Sequence, residues 1–250
     1  MRREEMRRDE DEKALKKQEE HAGHAELERI VFIGRTFEEY MRMFALTEEE
    51  LSGRQILDCP GGACSFTAVA HRLGCLVTAA DIAYHHEMNL LHDKGLQDIL
   101  HAMEHVEAGK ERYIWTEFSS VDDLRKARTE ALESCIEDMR LNPDRYVPVT
   151  LPLLPFEQGQ FDLTLSAHFL FTYADKLDAD FHRRTLHELL RVTREEVRIF
   201  PLVDQHGRRP ALVDQLMEYA GGEGWSAEIQ SAPYHFQENA DQVLILRRKE

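Results

Sequence analysis

The stretch Ile56 to Phe66, ILDCPGGACSF, holds the residue types with the most specific chemical demand in this chain. Two apolar residues run into a carboxylate, Asp58, and Pro60, Gly61 and Gly62 follow at once. Glycines after a strand let a ligand approach the backbone without meeting a Cβ. A second carboxylate, Asp81, closes the next apolar run, CLVTAAD. An acid roughly twenty residues beyond a Gly turn is suited to accept from both hydroxyls of a ribose. The pair therefore predicts a bound nucleoside.

The turn also sorts among nucleosides. A dinucleotide site asks for G-x-G-x-x-G and a helix N-terminus left clear for the pyrophosphate. Here the third Gly is missing and Asp58 stands just before the turn. A carboxylate at that point repels a diphosphate and attracts an ammonium. S-adenosylmethionine carries an ammonium on its amino-acid end and no phosphate, so the turn favours it over NAD.

Histidines supply the other candidate chemistry. His168 follows the apolar run FDLTLSA. The string HAMEH, with His101, Glu104 and His105, fits the H-x-x-E-H zinc-peptidase pattern, its two histidines sharing one helix face. The surrounding segment is rich in His and Glu, so a solvated helix is the expectation and no metal is assigned. Tyr113, Trp115 and Phe118 cluster in RYIWTEF and are expected in a core.

These residues need elements to position them. LERIVFIGRTFEEYMRMF, from Leu27 to Phe44, reads as a helix, and Thr47 with Glu50 forms a capping box for the next one. Gln55 to Asp81 reads as a β-α-β unit whose helix stops at Gly74. The next strand signal starts near Tyr146, and the chain between is longer than one crossover needs. It predicts a helical cap inserted over about residues 83–145. FDLTLSAHFLF, LDADFHRRTLHELLRVT, EEVRIFPLV and PALVDQLMEYAGG then alternate strand and helix, and the C-terminus reads as a hairpin. This order predicts an α/β fold, a doubly wound, mostly parallel seven-stranded sheet with helices on both faces.

Composition bounds the partners. The 250 residues are 42% apolar and 31% charged, with a formal net charge of -16. Such an acidic chain is repelled by phosphate backbones, which argues against a nucleic-acid partner. Residues 1–24 mix both charge signs with few apolar residues and read as a flexible charged tail, leaving 25–250 as the folded domain. No run is long and apolar enough to span a bilayer. The four cysteines make no C-x-x-C pair, and a cytoplasmic protein with reduced thiols is expected.

From about Val31 to the end, apart from the helical insert, the sequence resembles the class I S-adenosylmethionine-dependent methyltransferases. LDCPGG is similar to their first motif, with Pro60 in place of its first Gly, and VTAAD to their second. LPFEQGQFDLTLSAHFLF and LHELLRVTREEVRIFPLV are similar to their fourth-strand and fifth-strand regions. The resemblance is narrowest to a group of bacterial methyltransferase-domain proteins. It implies that Asp58, Pro60, Gly61 and Gly62 cradle the methionine part and ribose, that Asp81 holds the ribose hydroxyls, and that Ile82 lies against the adenine. It further implies that Ser166 offers backbone to the methionine end and that Arg35 and Tyr40 reach the cofactor carboxylate. Thr150 and Leu151 stand where relatives carry Asp-Ala, so adenine recognition falls to Thr150 or to backbone. SAHF replaces the Pro-Pro-Tyr-type tetrapeptide of adenine and glutamine methylation. The expected acceptor is a small molecule, and the resemblance places His168, just past the fourth strand, among substrate-facing side chains as the candidate base. A non-catalytic cofactor-binding module, a metal-dependent hydrolase at His101 and His105, and a nucleotide-dependent oxidoreductase are the rival readings.

Overall fold

A computed structural model describes residues 31–249. The charged run over 1–24 and the first residues of the expected N-terminal helix lie outside them. Two helices open the described chain, α1 (Phe37–Met43) and α2 (Glu48–Leu51). Then come β1 (Gln55–Asp58), α3 (Phe66–Arg72) and β2 (Leu76–Asp81). Two long helices follow, α4 (Met88–Ala108) and α5 (Val121–Leu141). The rest is β3 (Tyr146–Pro148), β4 (Phe161–Ala167), α6 (Ala179–Val192), β5 (Thr193–Phe200), α7 (Leu212–Gly222), β6 (Trp225–Ser231) and β7 (Gln242–Arg248).

The seven strands form one sheet in the order β3-β2-β1-β4-β5-β7-β6. The first five run parallel, and β7 pairs antiparallel with both β5 and β6. The sheet is buried on both faces, which is why its central strands are almost continuously apolar. Against one face lie Phe32, Tyr40, Phe44, Phe66, Leu91 and Leu132, from the N-terminal segment, α1, α3, α4 and α5. Against the other lie Leu186, Leu189, Leu190, Val213 and Leu216, from α6 and α7.

Three local readings hold in detail. Thr47 accepts from the Glu50 N–H while the Glu50 carboxylate accepts from the Thr47 N–H. Gly74 ends α3 at φ +85°, and the C-terminal strands pair as neighbours. Over residues 83–145, α5 buries Leu132, Cys135, Ile136 and Met139 against the sheet face and leads into β3, while α4 packs outside it. Tyr113, Trp115 and Phe118 surround Phe236 of the β6–β7 connection at ring separations of 5.0 to 5.6 Å.

The N-terminal helix is a correction. Val31 to Thr36 is not helical, and α1 starts at Phe37 behind an N-cap on Thr36. The apolar period is overridden by long-range bonds: the Phe32 N–H goes to the Asp98 carboxylate at 2.7 Å and the Arg35 carbonyl accepts from the Ser65 N–H at 3.0 Å. The segment is a strap across the Gly turn rather than a helix.

Candidate active site

The C-terminal ends of β1, β2 and β4 meet beneath this strap. Asp58 ends β1 with 1% exposure, and the Tyr40 hydroxyl donates to its Oδ1 at 3.0 Å. Tyr40 also contacts the Cys64 sulfur at 3.2 Å, so its hydroxyl is committed within the protein. Burial pushes the Asp58 carboxyl well above the usual range, opposed by the Tyr40 bond and reinforced by the charge of Asp81. No Lys or Arg side chain bonds Asp58 among the described residues.

Gly62 turns the chain at φ +53°, a conformation that favours glycine, and its N–H donates to Asp81 Oδ2 at 2.8 Å. The other carboxylate oxygen of Asp81 accepts from the Ala83 N–H at 2.8 Å. Burial raises the Asp81 carboxyl, and these N–H bonds oppose the rise. The acid therefore fastens the Gly turn to the end of β2. A Cβ on Gly61 would come to 2.7 Å from the Tyr84 hydroxyl and 3.0 Å from Ala79 Cβ. Tyr84 in turn donates to the Gly62 carbonyl at 2.8 Å. The two acids and two glycines that the sequence singled out come together here, and Tyr84, which it did not single out, bonds the turn as well.

The strap contributes the opposite charge. Arg35 lies before α1 rather than on it, and its Nε is buried without a hydrogen-bond partner. Burial, then Arg128, lowers its pKa. Among the described residues no carboxylate pairs with the Arg35 guanidinium. Gly34 was also missed: a Cβ there would run into the Ala63–Cys64 peptide. Its signal was a Gly inside an otherwise apolar run, the mark of a close backbone approach.

His168 follows β4 at φ +50°, uncommon for a residue with a side chain and a form of strain found at functional sites. Its N–H donates to the Phe200 carbonyl at 2.7 Å, its ring stands edge-on to Phe200, and its Nε2 is buried without a partner. Burial, with Arg35 and Arg128 adding to it, holds its pKa well below the ordinary imidazole value, so the ring is neutral. Ser166 is 1% exposed with an unpartnered Oγ. It alternates along β4 with Leu165 and Ala167, which join the core of the α3–α5 face, so its side chain points to the other one.

Behind α1 lies a saturated polar cluster. Glu39 accepts two bonds from Arg128, at 2.6 and 2.8 Å, and one from the Tyr234 hydroxyl at 2.7 Å. Burial by itself would raise the Glu39 carboxyl, but Arg128, Arg35 and the Thr36 N–H hold it down at about 2. This cluster ties α1, and with it Arg35 and Tyr40, to α5 and the β6–β7 connection.

The remaining predicted residues flank the turn. Ile82 is 39% exposed beside Asp81. The Val149 N–H donates to the Asp81 carbonyl at 3.1 Å, which brings exposed Thr150 and half-buried Leu151 to the same edge. His101, Glu104 and His105 stand apart, all exposed on α4. Among the described residues no three His, Cys, Asp or Glu side chains are grouped as for a metal ion. No helix among them is long and apolar enough to cross a membrane.

Strand order 3-2-1-4-5-7-6 with a reversed seventh strand, and a Gly turn held between acids ending β1 and β2, define the Rossmann-like fold of the class I methyltransferases. In sequence the chain is 34% identical over 223 residues to the uncharacterized protein MJ0045 of Methanocaldococcus jannaschii, covering 89% of this chain and 98% of that protein, and it belongs to the same family. That relative is archaeal, whereas the sequence resemblance pointed to a bacterial group. No family model matches the chain. Among solved structures, the 1,6-didemethyltoxoflavin-N1-methyltransferase of Burkholderia thailandensis is 14% identical with a TM-score of 0.48, over 85% of this chain and 78% of that one. The magnesium protoporphyrin IX methyltransferase of Synechocystis PCC 6803 is 10% identical with a TM-score of 0.43, over 85% and 91%.

Proposed function

We propose that this protein is an S-adenosylmethionine-dependent methyltransferase acting on a small molecule. One observation carries the reading: two buried carboxyls with no cationic partner among the described residues, and Arg35, whose Nε is buried without a hydrogen-bond partner, flank the same Gly turn. That set complements a ribose diol joined to a zwitterionic amino acid. The residues fit S-adenosylmethionine on those grounds, and when bound it supplies a methyl group on a positively charged sulfur.

In this reading Asp81 holds the ribose hydroxyls with the lone pairs its two N–H bonds leave free. Asp58 faces the ammonium, and Tyr40 positions Asp58. Pro60, Gly61 and Gly62 let the ligand lie against backbone, and Ser166 contributes main chain at the methionine end. Arg35 takes the carboxylate. Ile82, Thr150 and Leu151 form the adenine side. His168 is the group placed to take a proton from a hydroxyl, thiol or amine acceptor, its neutral ring already in the basic form. A buried site excludes water and fixes the line of displacement, effects worth several kcal/mol.

Calorimetric titration with S-adenosylmethionine and S-adenosylhomocysteine, with NAD as control, tests this. Micromolar binding of the two sulfur nucleosides alone is expected. Asp81→Asn should weaken it at least tenfold, since a charged hydrogen bond is worth about 1.5–3 kcal/mol. Unchanged binding in that variant would remove Asp81 from the site. Binding by the native protein without turnover across an acceptor screen would favour a cofactor-binding module.

A further inference from the structure

A groove of about 390 Å³ opens on the sheet face opposite α3, α4 and α5. It exists because the β3–β4 connection, residues 149–160, carries no helix, so α6 and α7 stand uncovered beside it. Its lining is Pro152, Leu153, Arg183, Arg184, His187, Glu188 and Tyr219, which shares no residue with the site under the strap. A volume of that size falls in the range of small-molecule sites, roughly 300–1,000 Å³.

Most charges in the groove are paired. Glu188, its one carboxylate, is consumed: Arg191 bonds both of its oxygens, at 2.6 and 2.8 Å, and the Leu154 N–H donates to one of them at 3.1 Å. Arg183 is tied to Asp180 at 2.6 Å. Arg184 has no carboxylate partner among the described residues. His187 and the Tyr219 hydroxyl are bonded to each other at 2.9 Å, and the Glu223 carboxylate lies 3.8 Å from His187 Nδ1. In a chain of net charge -16, Arg184 is therefore left as an uncommitted cation on this wall. Leu153, 68% exposed, and Pro152 form an apolar lip facing it.

We infer that this groove is a second ligand site, for a small molecule with a planar apolar body and one anionic group, such as an aromatic carboxylate, sulfonate or phosphate ester. The body lies on Pro152, Leu153 and the Tyr219 ring, and the anion pairs with Arg184. An acidic protein surface repels such a molecule elsewhere, so this wall selects it by charge as well as shape. The inference does not depend on the methyltransferase reading.

The probe is 8-anilinonaphthalene-1-sulfonate, an anion on a planar aromatic body, followed by fluorescence titration. One saturable site is expected. Arg184→Glu and Leu153→Asp should each weaken it tenfold or more, and Asp81→Asn should leave it unchanged. Both groove residues are exposed, so the variants should keep the native melting temperature. Binding that is unsaturable, that survives both groove substitutions, or that is lost in Asp81→Asn would overturn the assignment.

Discussion

Replacing Arg128 by Met tests the cluster that holds α1 over the site. The substitution keeps bulk and removes a guanidinium whose two bonds to Glu39 are 2.6 and 2.8 Å long. Glu39 is 2% exposed, so nothing from solvent replaces them. Its displacement from 4.5 to about 2 corresponds to about 3 kcal/mol. Removing one partner of a buried pair costs about 3–5 kcal/mol, in agreement. The loss is therefore expected at about 3 kcal/mol, read from the urea midpoint at pH 7. The pH dependence gives an independent check. A carboxyl depressed on folding contributes stability above pH 4.5 that is lost as pH falls toward about 2. The native protein should lose that increment between those values, and Arg128→Met should not. The double variant Glu39→Leu with Arg128→Met should recover most of the stability, because the stranded charge is gone. A loss under about 1 kcal/mol for Arg128→Met, or an unchanged acid slope, would refute the reasoning.

Three further outcomes are expected. Gly34→Ala should lower stability by about 1–3 kcal/mol or more, because the new Cβ meets the Ala63–Cys64 peptide; an unchanged melting temperature would count against the strap geometry. Cys59, Cys64 and Cys135 should resist thiol reagents at pH 8 until the protein is denatured, since burial raises all three thiols, Cys64 to about 12; rapid labelling of the native protein would contradict this. His101→Ala and His105→Ala should leave cofactor affinity and melting temperature as they are, because both side chains are exposed on α4; loss of bound zinc from either variant would revive the hydrolase reading.

What sequence could show and what it could not divides along physical lines. The β-α-β unit from Gln55 to Asp81 was legible because local signals agree there: a short apolar run, a Gly turn, a helical period and a Gly stop. The acids ending β1 and β2 were legible for the same reason, since each sits at an element boundary. The strap was misread as helix because its apolar spacing fits a helical period, while the bonds that hold it extended come from Ser65, Cys64 and Asp98. Arg128, Tyr84 and Tyr234 escaped notice because their roles exist only once distant segments meet. The groove escaped because it arises from a helix missing between β3 and β4, and a loop's length does not say what it leaves uncovered.

The bond from Tyr234 to Glu39 joins residues 195 apart in the chain, and that from Arg128 to Glu39 joins residues 89 apart. α1 is near the start of the described chain, yet its seat is built from its middle and its end. During synthesis, then, the roof over Asp58 has no complete seat until Tyr234 is available, while the parallel strands β1 to β5 can pair beneath it first. Closing so long a loop costs only slightly more than closing a short one, because the penalty grows with the logarithm of length. A chain stopped before Tyr234 would lose β7 along with this bond, leaving both the sheet edge and α1 without their last partners. The roof over the Gly turn is in this sense a late product of folding.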